Sequence, residues 1–241
     1  MKPDEMQMHR PEAYQPASEL EVMAQVIAPV GARVLELGCG RAWMTRKLVE
    51  SFNPAQVIAT EVDRIQHEKN LLIDDLPQVR FVYGGAEAIN LADGAMDLVI
   101  MLKSLHHVPL SLMDKAFDEI ARVLRPGGAA YISEPVYAGA FNEILRLFND
   151  EKQVREAAFG ALLRAVERGL FTVERQIFFL SNSRFADFAE FDERIVRATH
   201  SNHQLDQTLY DQVRKLFQAH MTAHGAEFSN PVRVDVLRKP L

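Results

Sequence analysis

The most constraining feature of this sequence is a regular alternation of short β-rich runs and helical stretches in its first half. The β-rich runs lie at 34–37, 57–60, 79–83, 98–102 and 129–133. Helical patterns at 45–52, 66–74 and 111–124 fill most of the gaps, and Pro, Gly or Asn residues follow them. Because strands that alternate with helices are typical of a parallel sheet with crossover helices, we predict an α/β fold.

The two ends of the chain follow other patterns. Residues 1–16 contain three prolines and are predicted to form an extended arm outside the core, before a helix that Ser18 caps. After Pro135 the alternation stops. Helical patterns follow at 141–168, with a break near Asn149, and at 184–200 and 205–224, and β-rich runs follow at 171–180 and 232–237.

Composition excludes several classes of protein. Of the 241 residues, 48% are apolar and 25% are charged, which is ordinary for a globular chain. A net charge of −6 without a basic block removes the electrostatic attraction that a duplex-binding protein needs, so we predict no nucleic-acid partner. No apolar run approaches the ~20 residues of a membrane span, and no apolar signal region precedes the first helix. We therefore expect a cytoplasmic protein without a membrane span.

The cysteine and histidine content predicts no metal site. Cys39 is the single cysteine, so neither an internal disulfide nor a thiolate zinc site can form, and we predict that it is a small buried residue. His200 and His203 are close in sequence, and His220 and His224 are four residues apart on a predicted helix. The second pair lacks the glutamate of an HExxH motif, so we interpret these histidines as solvated helix surface.

The segment 32–44 places a buried strand directly before a Gly-x-Gly turn and a helix. Gly38 and Gly40 can adopt backbone angles that other residues avoid, and the helix that follows presents free N–H groups, so a ligand can approach the main chain. Glu36 puts a carboxylate beside this turn, where it would repel a pyrophosphate but accept a cation. The second strand ends in Glu61, or alternatively Asp63, either of which can accept hydrogen bonds from both hydroxyls of a ribose.

These residues resemble class I S-adenosylmethionine-dependent methyltransferases, particularly the small-molecule group related to ubiquinone and menaquinone biosynthesis methyltransferases. The resemblance rests on VLELGCGRA at 34–42, IATEVD at 58–63, GGAEAINLADGAMDLVI at 84–100, LHHV at 105–108 and ARVLRPGGAAYISEP at 121–135. It implies a doubly wound, mostly parallel, seven-stranded sheet of the Rossmann-like methyltransferase type, with a helical lid insertion. It also implies S-adenosylmethionine (SAM) as the cofactor.

The resemblance assigns the cofactor contacts position by position. Glu36 lies near the methionine amino group, the turn of Gly38, Gly40 and Ala42 lies under the cofactor, and Glu61 holds the ribose.

The resemblance also assigns residues beyond the third and fourth strands. Where the family often has the aspartate of a Gly-Asp-Ala sequence, this chain has Gly85, followed by Ala86 and Glu87, and Glu87 is the residue that could replace the missing aspartate. Leu102, at the end of the fourth strand, matches a position that usually touches the cofactor.

Candidate catalytic residues follow from the chemistry of the sulfonium, which activates its own methyl group, so that a base is needed only when the acceptor must lose a proton. His106 and His107 follow the fourth strand at the carboxyl edge of the sheet and are the candidates, although they could instead only shape the pocket floor. Glu134 faces the same crevice and could bind substrate, orient a histidine or be a simple loop acid. Tyr14 and Tyr137 are candidate neighbours of the acceptor.

We predict one domain with three parts: an N-terminal arm and helix at 1–30, a cofactor-binding core at 31–135, and helical lid or substrate elements with the last strands at 136–241. The predicted function is transfer of a methyl group from SAM to a small organic acceptor. An alternative is a SAM-binding protein without transferase activity, which Gly85 in place of the usual acid would suit. A nicotinamide oxidoreductase is disfavoured by Glu36 and by the lack of a GxGxxG motif.

Overall fold

A computed structural model describes residues 1–27, 29–197 and 205–241, and its strands form one mixed sheet. The strands are β1 Gln15–Pro16, β2 Arg33–Leu37, β3 Gln56–Glu61, β4 Val79–Tyr83, β5 Met96–Leu102, β6 Leu124–Pro135, β7 Thr172–Phe185, β8 Met221–Thr222 and β9 Gly225–Arg238. The α-helices are α1 Glu19–Val26, α2 Trp43–Phe52, α3 Arg64–Asn70, α4 Met113–Val123, α5 Ala140–Leu145, α6 Lys152–Glu167, α7 Phe188–Phe191 and α8 Gln207–Gln218.

The strand order is β1-β7-β9-β6-β5-β2-β3-β4, with β8 paired to β9. Strands β2 to β6 pair in parallel, whereas β9 runs antiparallel to both β6 and β7. The predicted doubly wound, mostly parallel α/β fold is therefore confirmed, and two strands of two residues each, β1 and β8, extend the seven longer ones. The chain reverses its winding direction between β2 and β5, and ligands of open α/β sheets bind outside the carboxyl ends of the strands at such a point.

Two apolar layers cover the two faces of the sheet. On one face, α1 and α2 pack through residues such as Met23 and Leu48 against Ile100 and Tyr131 of the central strands. On the other face, α4 and α6 pack against alternate residues of the same strands. Since parallel strands are buried on both faces, their near-continuous apolar sequences are explained. Within the described ranges, every helix is too short or too polar to span a bilayer.

The prediction of an arm outside the core is wrong. Met6 is buried in the core layer that contains α4 and α6, and Gln15 and Pro16 pair in parallel with Phe179 and Leu180 as the strand β1. The physical reason is that β7 would otherwise be an edge strand with open backbone hydrogen-bonding groups, which the N-terminal segment covers.

The second half departs from its predicted boundaries. The predicted helix 141–168 breaks where expected, between α5 and α6. The β-rich run at 171–180 continues to Phe185 because it forms a long antiparallel pair with β9, so the predicted helix 184–200 shrinks to α7 and the π-helical turn Asp192–Val196. The predicted helix 205–224 ends at Gln218, and Met221–Thr222 pairs back onto Gly225, whose φ of +98° permits the tight reversal.

These boundaries change the interpretation of the later histidines. His220 follows α8 and His224 lies in the turn between β8 and β9, so the two do not share a helix face. His200 and His203 lie outside the described residues.

The aromatic residues of this half pack mainly on one another. A small separate core contains the buried rings of Phe185, Phe191, Phe217 and Phe228. The ring centroids of the pairs in contact are 4.8 to 6.2 Å apart. These rings therefore serve as core packing in this half of the chain.

Candidate active site

The turn after β2 provides open main chain at the carboxyl edge of the sheet. Gly38 has a φ of +79° and Gly40 a φ of +53°, both in the left-handed region. A Cβ on Gly38 would lie 2.7 Å from the Cβ of Ser104, whereas a Cβ on Gly40 would meet no atom within 4 Å. Gly38 is therefore needed for packing against the loop after β5, and Gly40 leaves space above the turn that a ligand can occupy.

Neighbouring elements hold this turn in place. The N–H groups of Gly38 and Cys39 donate to the carbonyl of Thr60 at 3.0 and 2.8 Å, and the side-chain amide of Asn70 donates to the carbonyl of Gly40 at 2.7 Å. Cys39 is buried, as predicted, and burial raises the pKa of its thiol. Asn70 ends α3, outside every motif, so sequence reasoning missed it.

Glu61 joins the end of β3 to the same turn. Its carboxylate accepts hydrogen bonds from the backbone N–H of Gly40 at 2.7 Å and from those of Val62 and Asp63 at 2.8 and 2.9 Å. Asp63 instead caps α3 by accepting from the N–H of Ile65 at 2.9 Å. Of the two acids at this strand end, only Glu61 contacts the glycine turn.

Glu36 is a buried carboxylate without a cationic partner. It accepts a hydrogen bond from the Thr45 hydroxyl at 2.6 Å, and burial raises its pKa to about 7. No Lys, Arg or His of the described chain lies within ion-pair distance of it. Ala42, which adopts a left-handed φ of 57°, is the N-cap residue of α2 and lies in the sequence between Glu36 and Thr45. A desolvated carboxylate of this kind suits a positively charged ligand.

The ends of β4 and β5 carry the remaining predicted cofactor contacts. The carboxylate of Glu87 folds over Gly85, so that a side chain at position 85 would require this flexible carboxylate to move, and Ala86 is buried beside it. The carboxylate of Glu87 thus occupies the space beside Gly85 that a side chain at position 85 would fill. Leu102 is half-buried at the end of β5, directly before Lys103, which has a φ of 56°.

His106 and Glu134 form a buried pair. The Nδ1 atom of His106 lies 2.5 Å from one Glu134 carboxylate oxygen, and the other oxygen accepts from the Leu105 N–H at 3.0 Å. Of the three roles considered for Glu134, the contact supports orientation of a histidine. His106 itself is only 4% exposed, so a ligand cannot reach it without displacing its neighbours.

His107 and Glu151 lie beside His106, and Arg155 of α6 pairs with Glu151. The ring of His107, which is exposed, lies 4.1 Å from the ring of His106. Glu151 has a carboxylate oxygen 3.9 Å from the Nε2 of His106 and 2.6 Å from the Arg155 guanidinium. Burial alone would raise the pKa of Glu151, but the charges of His106 and Arg155 outweigh it and lower the pKa.

Three of these residues form a donor set that sequence reasoning did not anticipate. Ligand atoms of His106, His107 and Glu151 lie within 4.8 Å of one another, which is close enough for a divalent cation. Arg155 already provides a positive charge to Glu151, so the group does not need a metal ion for charge balance.

The two candidate tyrosines lie in different surroundings. Tyr14 packs edge-on against Phe178 at 5.6 Å, burial raises its pKa to about 12, and its buried hydroxyl has no hydrogen-bond partner in the part of the chain that the structure describes. Desolvation and a hydrogen bond to Asp150 raise the pKa of Tyr137. Neither tyrosine makes a hydrogen bond to the His106 and Glu134 pair.

The glycine turn and the residues around it lie in a segment that is shared with known proteins. Residues 34–128 match a methyltransferase domain. The segment includes Glu36, Glu61, Glu87 and the two histidines, whereas Glu134 and the two tyrosines lie outside it.

Curated relatives match nearly half of this chain. An uncharacterized methyltransferase of Mycobacterium tuberculosis is 36% identical over 113 residues, which are 47% of this chain and 44% of that protein. Methyltransferase GfsG of Streptomyces halstedii is 31% identical over 122 residues, 47% of this chain and 41% of that protein. The match thus spans less than half the length of these relatives.

Solved structures share the fold over nearly the whole chain. A protein from Bacillus halodurans superposes with a TM-score of 0.63 at 17% identity and covers 93% of this chain and 100% of its own. The YcgJ protein of Bacillus subtilis has a TM-score of 0.60 at 16% identity, with 92% and 97% covered. The chain therefore has the Rossmann-like methyltransferase fold.

Proposed function

We propose that this protein transfers a methyl group from SAM to a small organic acceptor. The observation that carries the proposal is the buried carboxylate of Glu36, without a cationic partner, beside a glycine turn whose main chain faces open space. A cofactor that carries both an adenosine and positive charges matches this combination. The methyltransferase domain match over 34–128 supports the same reaction.

The residues that would hold SAM follow the carboxyl edge of the sheet. Glu61 would accept from the ribose hydroxyls, Glu36 would face the α-ammonium group, and the turn of Gly38, Gly40 and Ala42 would lie under the cofactor. When bound, SAM supplies an electrophilic methyl group on its sulfonium.

Adenine would lie nearer to β4 and β5. Gly85 and Ala86 would border the ring, Glu87 would face its amino group, and Leu102 would pack against the cofactor at the end of β5.

The acceptor would approach from the side of β5 and β6. We assign proton removal from a hydroxyl or acidic carbon to the exposed ring of His107, with His106 behind it and Glu134 holding His106 in orientation. Tyr14 and Tyr137 would border the acceptor. In this proposal residues 31–135 hold the cofactor and residues 136–241 surround the acceptor.

The proposed acceptor class is argued from one relative and from the net charge of the chain. A fatty-acid O-methyltransferase of Mycolicibacterium smegmatis is 33% identical over 98 residues, which are 41% of this chain and 35% of that protein. With a net charge of −6, this chain lacks the attraction to a polyanion, so we propose a small organic acceptor and no nucleic-acid partner.

Calorimetry tests the proposal directly. The wild type is expected to bind both SAM and its demethylated product S-adenosylhomocysteine (SAH), and Glu61→Ala is expected to weaken both. Asp63→Ala is the matched control, because Asp63 caps α3 without touching the turn. Absence of binding by the wild type, or unchanged binding by Glu61→Ala, would contradict the proposal. Formation of SAH with a panel of hydroxylated and carboxylated acceptors then tests turnover.

A second candidate is a SAM-binding protein without transferase activity. The structure of the [4+2]-cyclase SpnF shares this fold with a TM-score of 0.53 at 18% identity, covering 95% of this chain and 86% of its own. The fold is thus compatible with other chemistry. Tight SAM binding without SAH formation over the whole acceptor panel would favour this candidate, and any methylated product would exclude it.

A further inference from the structure

Glu19, the first residue of α1, carries a second carboxylate to the carboxyl edge of the sheet. One carboxylate oxygen accepts from the hydroxyl of Tyr131 at 2.7 Å and the other accepts from the hydroxyl of Ser133 at 3.0 Å. Both donors are fully buried on β6, whereas Glu19 is only partly buried. Glu19 therefore covers the two hydroxyls and keeps part of its own surface towards the outside.

The register of the strands puts Glu19 and Glu36 on either side of β5. Glu36 on β2 pairs with Ile100 on β5, and Ile100 pairs with Tyr131 on β6. Because Glu19 is hydrogen-bonded to Tyr131, one strand separates the two acids. Both lie on the same face of the sheet, because α1 and α2 pack into the same apolar layer. Leu102, the predicted cofactor contact on β5, pairs with Ser133.

Among the residues that the structure describes, neither acid has a cationic partner at ion-pair distance. The side-chain hydrogen-bond donors of Glu19 and Glu36 are neutral hydroxyls. Lys103 acts on Glu19 only at longer range, and desolvation raises the pKa of the Glu19 carboxyl. Two carboxylates without cationic partners favour a ligand with two positive charges.

The hydrogen bonds of the two acids indicate which positive group of the ligand, the ammonium or the sulfonium, each acid would bind. An ammonium group donates hydrogen bonds and needs free lone pairs, and Glu36 has a single side-chain donor. A sulfonium has no N–H or O–H to donate, so a protein can recognise it only by placing negative charge nearby. Glu19 fits this need because each of its oxygens already has a hydroxyl donor that fixes its position without cancelling its charge.

We propose that Glu19 recognises the positive sulfur of SAM and makes the chain bind SAM more tightly than SAH, whose sulfur is neutral. This inference rests on the proposed function. With the ribose at Glu61 on β3 and the α-ammonium at Glu36 on β2, the sulfonium would lie towards β5 and β6, on the side of His107. The same preference would favour release of SAH after each methyl transfer.

The test is calorimetric titration of wild type and Glu19→Gln with SAM and with SAH. Glu19→Gln is expected to weaken SAM binding about tenfold, which corresponds to the loss of one modest charge interaction, and to change SAH binding less than about twofold. Glu19→Asp keeps the charge and is expected to retain the preference for SAM. Tyr131→Phe is the matched control, since it removes one hydrogen bond between α1 and β6 but keeps the charge of Glu19 and its hydrogen bond from Ser133.

The outcomes separate this inference from the proposed function. Wild type that binds neither ligand refutes the proposed function, and the inference with it. Wild type that binds both, with a ratio of SAM to SAH affinities that Glu19→Gln leaves unchanged, refutes the inference alone. If Tyr131→Phe reduces the ratio as much as Glu19→Gln does, Glu19 serves only to anchor α1. Circular dichroism spectra of all variants establish that α1 and the sheet are retained.

Discussion

The Nδ1 atom of His106 lies 2.5 Å from the carboxylate of Glu134, and only 4% of His106 and 2% of Glu134 are exposed. The same carboxylate accepts a hydrogen bond from the Leu105 N–H, so it fixes both the His106 ring and the backbone of the 3-10 turn after β5. We expect Glu134→Ala to lower the free energy of unfolding by about 3 kcal/mol, because it leaves a buried histidine and a buried N–H without their partner.

Urea unfolding measures this loss. Glu134→Gln keeps the shape and one acceptor oxygen, so its loss should be smaller than that of Glu134→Ala. Glu12→Gln is the control, because Glu12 pairs with Arg10 on the surface and should show no measurable change. A Glu134→Ala protein as stable as the wild type would mean that His106 does not depend on this carboxylate.

The raised pKa of Glu36 leads us to predict a specific pH dependence of stability. Its pKa is raised from 4.5 to about 7 by burial, so between these values the folded state holds a proton that the unfolded state releases. Stability therefore falls as pH rises through this window, and above it the ionised carboxylate costs about 3 kcal/mol. Without cofactor, Glu36→Gln should be more stable than wild type at pH 8 by up to about this amount, and the advantage should shrink to less than about 1 kcal/mol at pH 5.

Thermal or urea unfolding at the two pH values checks this prediction. SAM should reduce the advantage of Glu36→Gln at pH 8, since its positive charge compensates the wild-type carboxylate. A stability difference that is the same at pH 5 and pH 8 would show that Glu36 does not titrate in this window.

The hydrogen bond from Asn70 to Gly40 connects α3 to the glycine turn, so we expect Asn70 to affect cofactor binding. Asn70→Ala removes the donor to the Gly40 carbonyl and should cost about 1 to 2 kcal/mol of stability while weakening SAM binding. Gln66→Ala is a matched control, because Gln66 hydrogen-bonds the other end of the same amide at 2.8 Å and does not touch the turn. Equal SAM affinities for Asn70→Ala and wild type would disprove the link.

The two glycines of the turn should respond differently to alanine. Gly38→Ala introduces a Cβ 2.7 Å from the Cβ of Ser104, so it should destabilise the fold by more than the ~1 kcal/mol that a left-handed φ costs a non-glycine residue. Gly40→Ala meets open space and should show only that smaller cost, but it should weaken SAM binding. Urea unfolding measures the stability of both variants, and calorimetry measures their SAM binding. Gly169→Ala, in a turn away from the site, is the control for a left-handed φ alone.

The sequence predicts the core better than the rest because its signals are local. The strand before Gly38 and the acid Glu61 after the second strand are close in sequence to the turns that use them, so spacing alone places them at one edge. Motifs likewise bring Glu134 and His106 to neighbouring strand ends. The fold class and the place of the crevice follow from such patterns.

The features that sequence reasoning missed depend on contacts between distant segments. Glu19 contacts β6, and Asn70 contacts the glycine turn, from helices whose own patterns show only a capped N-terminus and an amphipathic face. Met6 enters the core because β7 offers an open edge, which no local pattern reveals. The hairpin of β8 and β9 replaces a predicted helix end because strand pairing outweighs helical propensity there.

Trp43 should report cofactor binding by fluorescence. It is the single tryptophan of the chain, it follows Ala42 directly at the start of α2, and it is 70% exposed. Because the turn that would lie under SAM ends at its neighbour, binding should shield the indole from water, and we expect a shift of the emission to shorter wavelength that saturates with SAM. Glu61→Ala should require a higher SAM concentration for the same shift. If calorimetry detects SAM binding but the emission of Trp43 is unchanged in both position and intensity, the cofactor does not bind over this turn.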